Sequence, residues 1–242
     1  MLKNKVSIII PIYNESRYIK DLIIKIKSIK LSKISFKKEI IIINDGSTDQ
    51  TKEILKKIKG IVVLNQKNLG KGRAVQNGIK KAKGNLILVQ DGDLEYDPND
   101  YFKLLKPFAT KKHISVFGNR YYLKKRFNKK FFNDKYPGQK FGPYLMNKIL
   151  QLLFLTLYKK NISDLLTGYK VYERDFFKKN KIQTNGFETD HEISAKLIKQ
   201  NYSIIEVPIS YNPRSYQDGK KIKLTDGFKA ILTLLKFVWK QY

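Results

Sequence analysis

The stretch LILVQDGDLEYDP, residues 86–98, begins as an apolar run and ends on Asp91 and Asp93 either side of one glycine, with Glu95 and Asp97 close behind. Two carboxylates on one turn can hold a hard divalent cation and leave positions for water or phosphate oxygens, the usual way proteins hold Mg²⁺ or Mn²⁺. A cation placed there neutralises a diphosphate and stabilises it as a leaving group. Read alone, a D-G-D string is equally an Asp-capped turn. It has company, however. NDGSTD sets Asp45 and Asp49 around a glycine, where Asp45 can accept hydrogen bonds from a nucleobase or ribose and Ser47, Thr48 or Asp49 can cap the next helix. PIYNE brings Glu15, suited to accepting from ribose hydroxyls. Each is by itself an ordinary turn or cap; together they describe a nucleotide-diphosphate site.

The elements that must position these acids alternate apolar strands with amphipathic helices, which predicts βαβ units and a parallel sheet. VSIIIPIY, EIIIIND, IVVLNQ and NLILVQ read as strands, and Ser16 to about Lys30, DQTKEILKKI and KGRAVQNGIKKA as the helices between them. The strands are continuously apolar, as expected when helices cover both faces, and ligands of such sheets bind beyond the strands' carboxyl ends. YNE, NDGSTD, NLGKGR and DGD all stand there. The second half predicts a strand at ISVFGNRYY, a mobile basic-aromatic stretch over 121–141 and a helix at 143–158. SDLLTGYKVYE then leads to a helix at GFETDHEISAKLIKQ, followed by a strand at SIIEVPISY and a last helix from about Asp226. With no linker between the halves, the expectation is one domain over 1–242.

Composition narrows the classes. The 242 residues include 49 Lys and Arg against 21 Asp and Glu, a net charge of +28, and no cysteine, which excludes disulfides and thiolate metal sites. With two histidines in the chain, His113 reads as a surface residue and His191 as a neighbour of the acids rather than a zinc ligand. No apolar run approaches the roughly 20 residues that cross a bilayer. The start of the chain runs straight into a strand, and the expectation is a cytoplasmic protein. Aromatics among the lysines of RYYLKKRFNKKFF raise the alternative of a nucleic-acid-binding module, which leaves the acidic strand ends unexplained; no nucleic-acid partner is expected.

PIYNES, IIINDGSTDQT, NLGKGRAVQNG, QDGDLEYDP, DLLTGYKVY and GFETDHEI follow in the order and approximate spacing of the family 2 glycosyltransferases with the GT-A fold. More narrowly, the sequence resembles the branch that makes polyprenyl-phosphate sugars, the dolichol-phosphate mannose and undecaprenyl-phosphate glucose synthases. The resemblance implies a Rossmann-like, mostly parallel sheet flanked by helices, with a donor half over 1–100 and an acceptor half over 101–242. It implies an inverting transfer of a hexose from a nucleoside diphosphate sugar with Mg²⁺ or Mn²⁺. Carried over, Pro11, Tyr13 and Glu15 line the nucleoside pocket, Asp45 holds base or ribose, and Asp91 and Asp93 hold the metal, with Lys71 and Gly92 beside the donor. Arg120 faces phosphate, and Arg214 and Lys220 of RSYQDGK grip the donor phosphates. Asn44 stands where many members have Asp, Gly92 where Ala is frequent, at an expected cost of local stiffness alone, and Lys170 where some mannose synthases have Arg.

The acceptor decides the mechanism. A hydroxyl of a cell-surface glycan or glycolipid, the alternative acceptor, needs a general base, which Glu188, Asp190 or Glu192 could supply. A lipid monophosphate, with a second pKa near 6, is already largely an anion and needs positive charge instead, from Arg120, Arg126, Lys135 or Lys170, while Asp164 and the acids at 188–192 orient acceptor or cations. The stretches PYLMNKILQLLFLTLYKK and DGFKAILTLLKFVWKQY, the latter an amphipathic C-terminal helix with Lys229, Lys236 and Lys240 around an apolar body, suit either packing on the sheet or peripheral contact with the inner face of an anionic membrane. A separate membrane-anchoring subunit would serve the same end.

Overall fold

The computed structural model describes residues 4–121, 141–214 and 224–239. Arg126, Lys135, Lys220, Lys240 and the stretch expected to be mobile, apart from its end residues, lie outside these. The first strand, β1 (Asn4–Ile12), pairs in parallel with β2 (Phe36–Asp45) and β4 (Leu86–Val89), and β2 pairs in parallel with β3 (Val62–Gln66). Beyond β4 come β6 (Lys170–Glu173), β5 (Ile114–Asn119) and β7 (Ser203–Pro208), giving the order β3-β2-β1-β4-β6-β5-β7. Only β6 runs against its neighbours.

Alternation of side chains along buried strands explains the Ile-rich runs. Ile8, Ile10 and Ile42 pack on one face with Leu22 and Ile26 of α1 (Ile19–Ser28) and Leu104 of α4 (Tyr101–Leu105). Ile9, Ile41 and Ile43 pack on the other with Ala74 and Val75 of α3 (Lys71–Lys81). Gly78, costly in a helix by propensity, lets α3 lie flat on the sheet, because a Cβ there would sit 2.9 Å from Ile43 Cδ1. The short α2 (Thr51–Lys56) follows β2. The far side of this second face is covered by α5 (Phe141–Tyr158), α7 (Thr189–Lys199) and α8 (Leu224–Val238), which contribute Leu150, Phe154, Leu197, Leu234 and Phe237 to the core.

Two expectations need correction. SDLLTGYKVYE does not lead directly into one helix: KVYE is the buried antiparallel strand β6, and a short α6 (Arg174–Lys179) follows it. Its backbone hydrogen bonds come from β4 on one side and β5 on the other, a pairing between distant segments that local apolar patterning does not display. The strand β3 is not covered on both faces either; it is the sheet's edge, with Val62 exposed.

Because β6 is antiparallel, its beginning lies level with the carboxyl ends of β4 and β5, Val89 opposite Lys170 opposite Phe117. One edge of the sheet therefore collects the ends of β1, β2, β4 and β5, the start of β6, and the segment after β7.

Candidate active site

The DGD turn is fixed from beneath. Buried Gln90 accepts from Tyr101 Oη at 2.7 Å and Tyr169 Oη at 2.6 Å, and its Nε2 donates to the Asp91 carbonyl at 2.9 Å. A Cβ on Gly168 would run into Asp91 Oδ2, so the glycine of LLTGYK is required by the close approach of this carboxylate. Asp93 Oδ1 accepts from Glu95 N at 3.2 Å, closing the turn, so the string is at once a capped turn and a pair of presented acids. Gly92 does more than soften the loop: a Cβ there would lie 2.7 Å from Ile12 Cγ2. The expectation that an Ala–Gly exchange matters only for stiffness is corrected accordingly.

A cleft of about 980 Å³ opens along this edge of the sheet, and Pro11, Tyr13, Glu15, Asp45, Lys71, Asp91, Gly92, Asp93, Arg120, Asp190 and Arg214 all line it. Of the residues expected from sequence to form the site, Lys220 lies outside the described residues. The cleft walls also include Gly142, Pro143 and Met146 of α5 and Thr225, Asp226, Gly227 and Lys229 of α8. Sequence reasoning did not find Tyr96 and Tyr211, which come together through an isolated bridge, their rings tilted at 48° with centres 5.0 Å apart. No local pattern marks that pairing.

Within the cleft, acids and bases of the chain pair with one another. Lys71 Nζ lies 2.6 Å from Asp91 Oδ1. Arg214 reaches Asp93 at 2.7 Å and Glu15 at 3.2 Å, while its backbone N–H donates to Glu95 at 2.8 Å. Arg120 makes a two-pronged bond to buried Asp164, Nε and Nη2 each at 2.7 Å, and its guanidinium lies 4.9 Å from the Tyr211 ring centre. Burial, with Asp91 and Glu95 adding to it and Arg214 opposing, pushes the Asp93 carboxyl up to about 7. Burial works against the Lys71 charge, but Asp91 and Asp190 more than offset it and raise its pKa.

The loop carrying Lys71 is held by Asp45, which accepts from Gln66 Nε2 at 2.7 Å, Leu69 N at 2.8 Å and Gly70 N at 2.9 Å. Gly70, at φ +96°, and Gly72 let this loop press on residues 185–189, with a Cβ on Gly70 falling 2.7 Å from the Asn185 carbonyl. The glycines of NLGKGR thus bring Lys71 onto Asp91, where it also feels the charge of Asp190. Asn44 bridges to Asn65 at 3.0 Å and accepts from Ser47 N at 3.0 Å. Asp49 accepts from Thr51 N and Ser16 N, which hold its carboxyl down at about 2 against the effect of burial, and Asp97 caps the turn at Asn99. These are structural roles.

The acids at 188–192 separate. Glu192 is fully buried, takes hydrogen bonds from Gln183 N, Thr184 N and Thr184 Oγ1, and pairs with Lys196 at 2.6 Å. Glu188 bonds to Gly186 N at 3.0 Å and is not part of the cleft lining. Asp190 alone of the three lines the cleft, 3.5 Å from Lys170 Nζ. Lys170 is buried and also donates to the Leu165 carbonyl at 3.2 Å, so it lies beneath the wall rather than on it. His191 lines the cleft with its Nδ1 buried and without a hydrogen-bond partner, and burial followed by the Lys170 charge lowers its pKa to about 4. His113 is at the surface, as expected, stacked on Tyr202.

Among the described residues no group of three or more His, Cys, Asp or Glu stands together as a complete metal cage. Asp91 and Asp93 offer two hard oxygen donors on one turn, each paired with a cation of the chain that a ligand could replace, facing a cleft wide enough for a ligand that brings oxygens of its own. That donor set fits Mg²⁺ or Mn²⁺ shared with a diphosphate.

Solved structures place the fold. Glucosyl-3-phosphoglycerate synthase from Mycobacterium tuberculosis, in complex with Mn²⁺, UDP and phosphoglyceric acid, matches with a TM-score of 0.73 at 18% identity over 100% of this chain and 82% of that one. The chain has the GT-A fold of such glycosyltransferases. Residues 7–180 match the model of Glycosyl transferase family 2, and the chain belongs to that family. Among curated relatives, glycosyltransferase AglJ of Haloferax volcanii is 28% identical over 225 residues, 90% of this chain and 66% of that protein. Dolichyl-phosphate beta-glucosyltransferase ALG5A of Trichomonas vaginalis is 29% identical over 247 residues, 95% of this chain and 72% of its own length.

Proposed function

We propose that this glycosyltransferase is inverting and metal-dependent and moves a hexose from a nucleoside diphosphate sugar to polyprenyl phosphate. The observation that carries the reading is the shared use of α5 and α8. Their ends line the cleft, while their outer faces expose Leu145, Ile149, Leu152, Leu155, Phe228, Leu232 and Leu235, with Trp239 exposed just past the end of α8. An acceptor whose phosphate enters the cleft can keep its chain along that apolar surface, in the headgroup and acyl boundary of an anionic membrane. The likeness to a dolichyl-phosphate glucosyltransferase supports the same acceptor. No helix among the described residues is long and apolar enough to cross a membrane, so contact would be peripheral, on the cytoplasmic face, directly or through a membrane subunit.

On this reading residues 1–100 bind the donor and 101–242 the acceptor, within one domain. Pro11, Tyr13, Glu15 and Asp45 line the nucleoside end. Asp91 and Asp93 hold the metal, which supplies charge stabilisation to the departing diphosphate. Lys71, Arg214 and Lys220 bind that diphosphate, Arg in its two-pronged manner and Lys as a point charge. The acceptor phosphate is an anion at neutral pH and attacks without a strong base. Arg120 and Lys170 make that end of the cleft positive, and Asp190 orients the attacking group. A second reading, transfer to a hydroxyl, is favoured by one observation: Asp190 faces the cleft beside a neutral imidazole and could serve as general base.

Release of nucleoside diphosphate from a panel of UDP- and GDP-sugars, with Mn²⁺ or Mg²⁺ and with or without short-chain polyprenyl phosphate, separates the two. Turnover of one donor only with the phospholipid is expected; turnover indifferent to it overturns the acceptor.

A further inference from the structure

We infer that the cleft's own cations keep the DGD acids neutralised until metal and nucleoside diphosphate arrive together, with Arg214 as the internal counter-ion that must exchange Asp93 for phosphate. The inference rests on reading Asp91 and Asp93 as the metal acids. Arg214 sits between Asp93 and Glu15, with Tyr18 beneath it at 5.2 Å from guanidinium carbon to ring centre. Lys71 covers Asp91. Both cations are themselves largely buried.

A divalent cation entering alone would displace two buried cations and leave them without partners, and a buried charge stripped of its partner is strongly unfavourable. A diphosphate entering alone would draw the same cations away and leave Asp91, Asp93 and Glu95 facing one another. Entering together, each new charge takes over a partner the other has released: carboxylates pass to the metal, Arg214 and Lys71 to the phosphates. The guanidinium fork suits both partners, since it grips carboxylate and phosphate with the same geometry. The backbone is already arranged for the exchange. The N–H of Arg214 is tied to Glu95, so the side chain can turn while its own Cα stays in place. Coupling of this kind is reciprocal and commonly amounts to about 5- to 150-fold in affinity.

Direct ligation of the metal by the nucleotide would also make the two bind better together, but it leaves the affinity for metal alone independent of Arg214. The test is therefore Mn²⁺ binding followed by the electron paramagnetic resonance signal of free Mn²⁺, in the wild type, Arg214→Gln and Arg214→Lys, with and without UDP or GDP. Arg214→Gln is expected to bind Mn²⁺ alone roughly five-fold or more tighter than the wild type and to lose most of the gain that nucleotide brings. Arg214→Lys, which keeps the charge, should resemble the wild type. A folded Arg214→Gln protein with unchanged or weaker affinity for Mn²⁺ alone overturns the inference and leaves the metal reading standing. A wild type that takes up no Mn²⁺ even with UDP or GDP overturns both. Should Arg214→Gln fail to fold, Lys71→Met uncovers Asp91 and is expected to tighten Mn²⁺ alone in the same way; no tightening there counts equally against the inference.

Discussion

Along the carboxyl edge of the sheet, Asp91 meets Lys71, Asp93 meets Arg214 and Asp164 meets Arg120. The outer face of α5 and α8 is apolar instead: Leu152 is 60% exposed, Phe228 64% and Leu232 66%, and Trp239, just past α8, 86%. The first region is balanced by the chain itself, so a ligand there must exchange partners. The second leaves apolar side chains in water at helical spacing, while the inner faces of the same helices are tightly fitted, Gly227 lying where a Cβ would come 2.7 Å from Met146 Cε and Tyr158 Oη donating to the Leu234 carbonyl at 2.6 Å. The charged cleft and the exposed apolar face are thus two sides of the same pair of helices.

The comparison breaks most severely at the edge. Asp91→Asn should lower turnover by about 10³-fold with little change in melting temperature, measured by nucleotide release and calorimetry. A comparable loss of stability would mean that the acid serves the fold instead.

Next comes the contrast between two acids of one helix. Glu192→Ala removes the partner of buried Lys196 and the acceptor of the loop at 183–184, so stability should fall by about 3–5 kcal/mol in chemical denaturation. Asp190→Asn removes the charge facing buried Lys170 at 3.5 Å but keeps an acceptor there, so stability should fall by less than in Glu192→Ala. Near-wild-type turnover in that variant supports a phosphate acceptor; a dead variant with intact donor binding points to a hydroxyl.

His191 adds a pH-dependent effect. Its folded-state pKa of about 4 lies below the ordinary 6.5, so the unfolded chain takes up a proton that the folded chain refuses. Stability should therefore fall as pH drops from 6.5 towards 4, by up to about 3 kcal/mol from this group. His191→Gln should flatten that part of the curve, and an unchanged slope would show that the ring is protonated in the fold.

The smallest effect concerns the outer face. Leu232→Ser with Trp239→Ser should weaken binding to anionic vesicles about 10-fold or more while leaving turnover on a short, soluble acceptor unchanged. Equal vesicle binding would remove α8 from the contact.

Much of the site was legible because its residues sit where strands end. A continuous apolar run that ends on an acid marks a buried parallel strand and its ligand-facing turn, and that pattern alone points to Glu15, Asp45 and the DGD acids. What it could not reveal was who faces whom. Nothing in ETDHE distinguishes Asp190 from Glu192, one turn-fraction apart on a helix; the difference arises from the loop at 183–184 folding back over one of them. Lys170, expected among the cations that meet the acceptor phosphate, is buried because β6 lies between β4 and β5. The pairing of Arg120 with Asp164 joins segments 44 positions apart, beyond any local periodicity.

The most direct test of the central claim is to identify the product itself. The enzyme is incubated with its preferred nucleotide sugar and an equimolar mixture of a short-chain polyprenyl phosphate and the corresponding free alcohol, and the organic phase is analysed by mass spectrometry. The account predicts one product, a hexose joined to the lipid through its phosphate, and no glycosylated alcohol; sugar found on the hydroxyl, with the phosphate untouched, would contradict it.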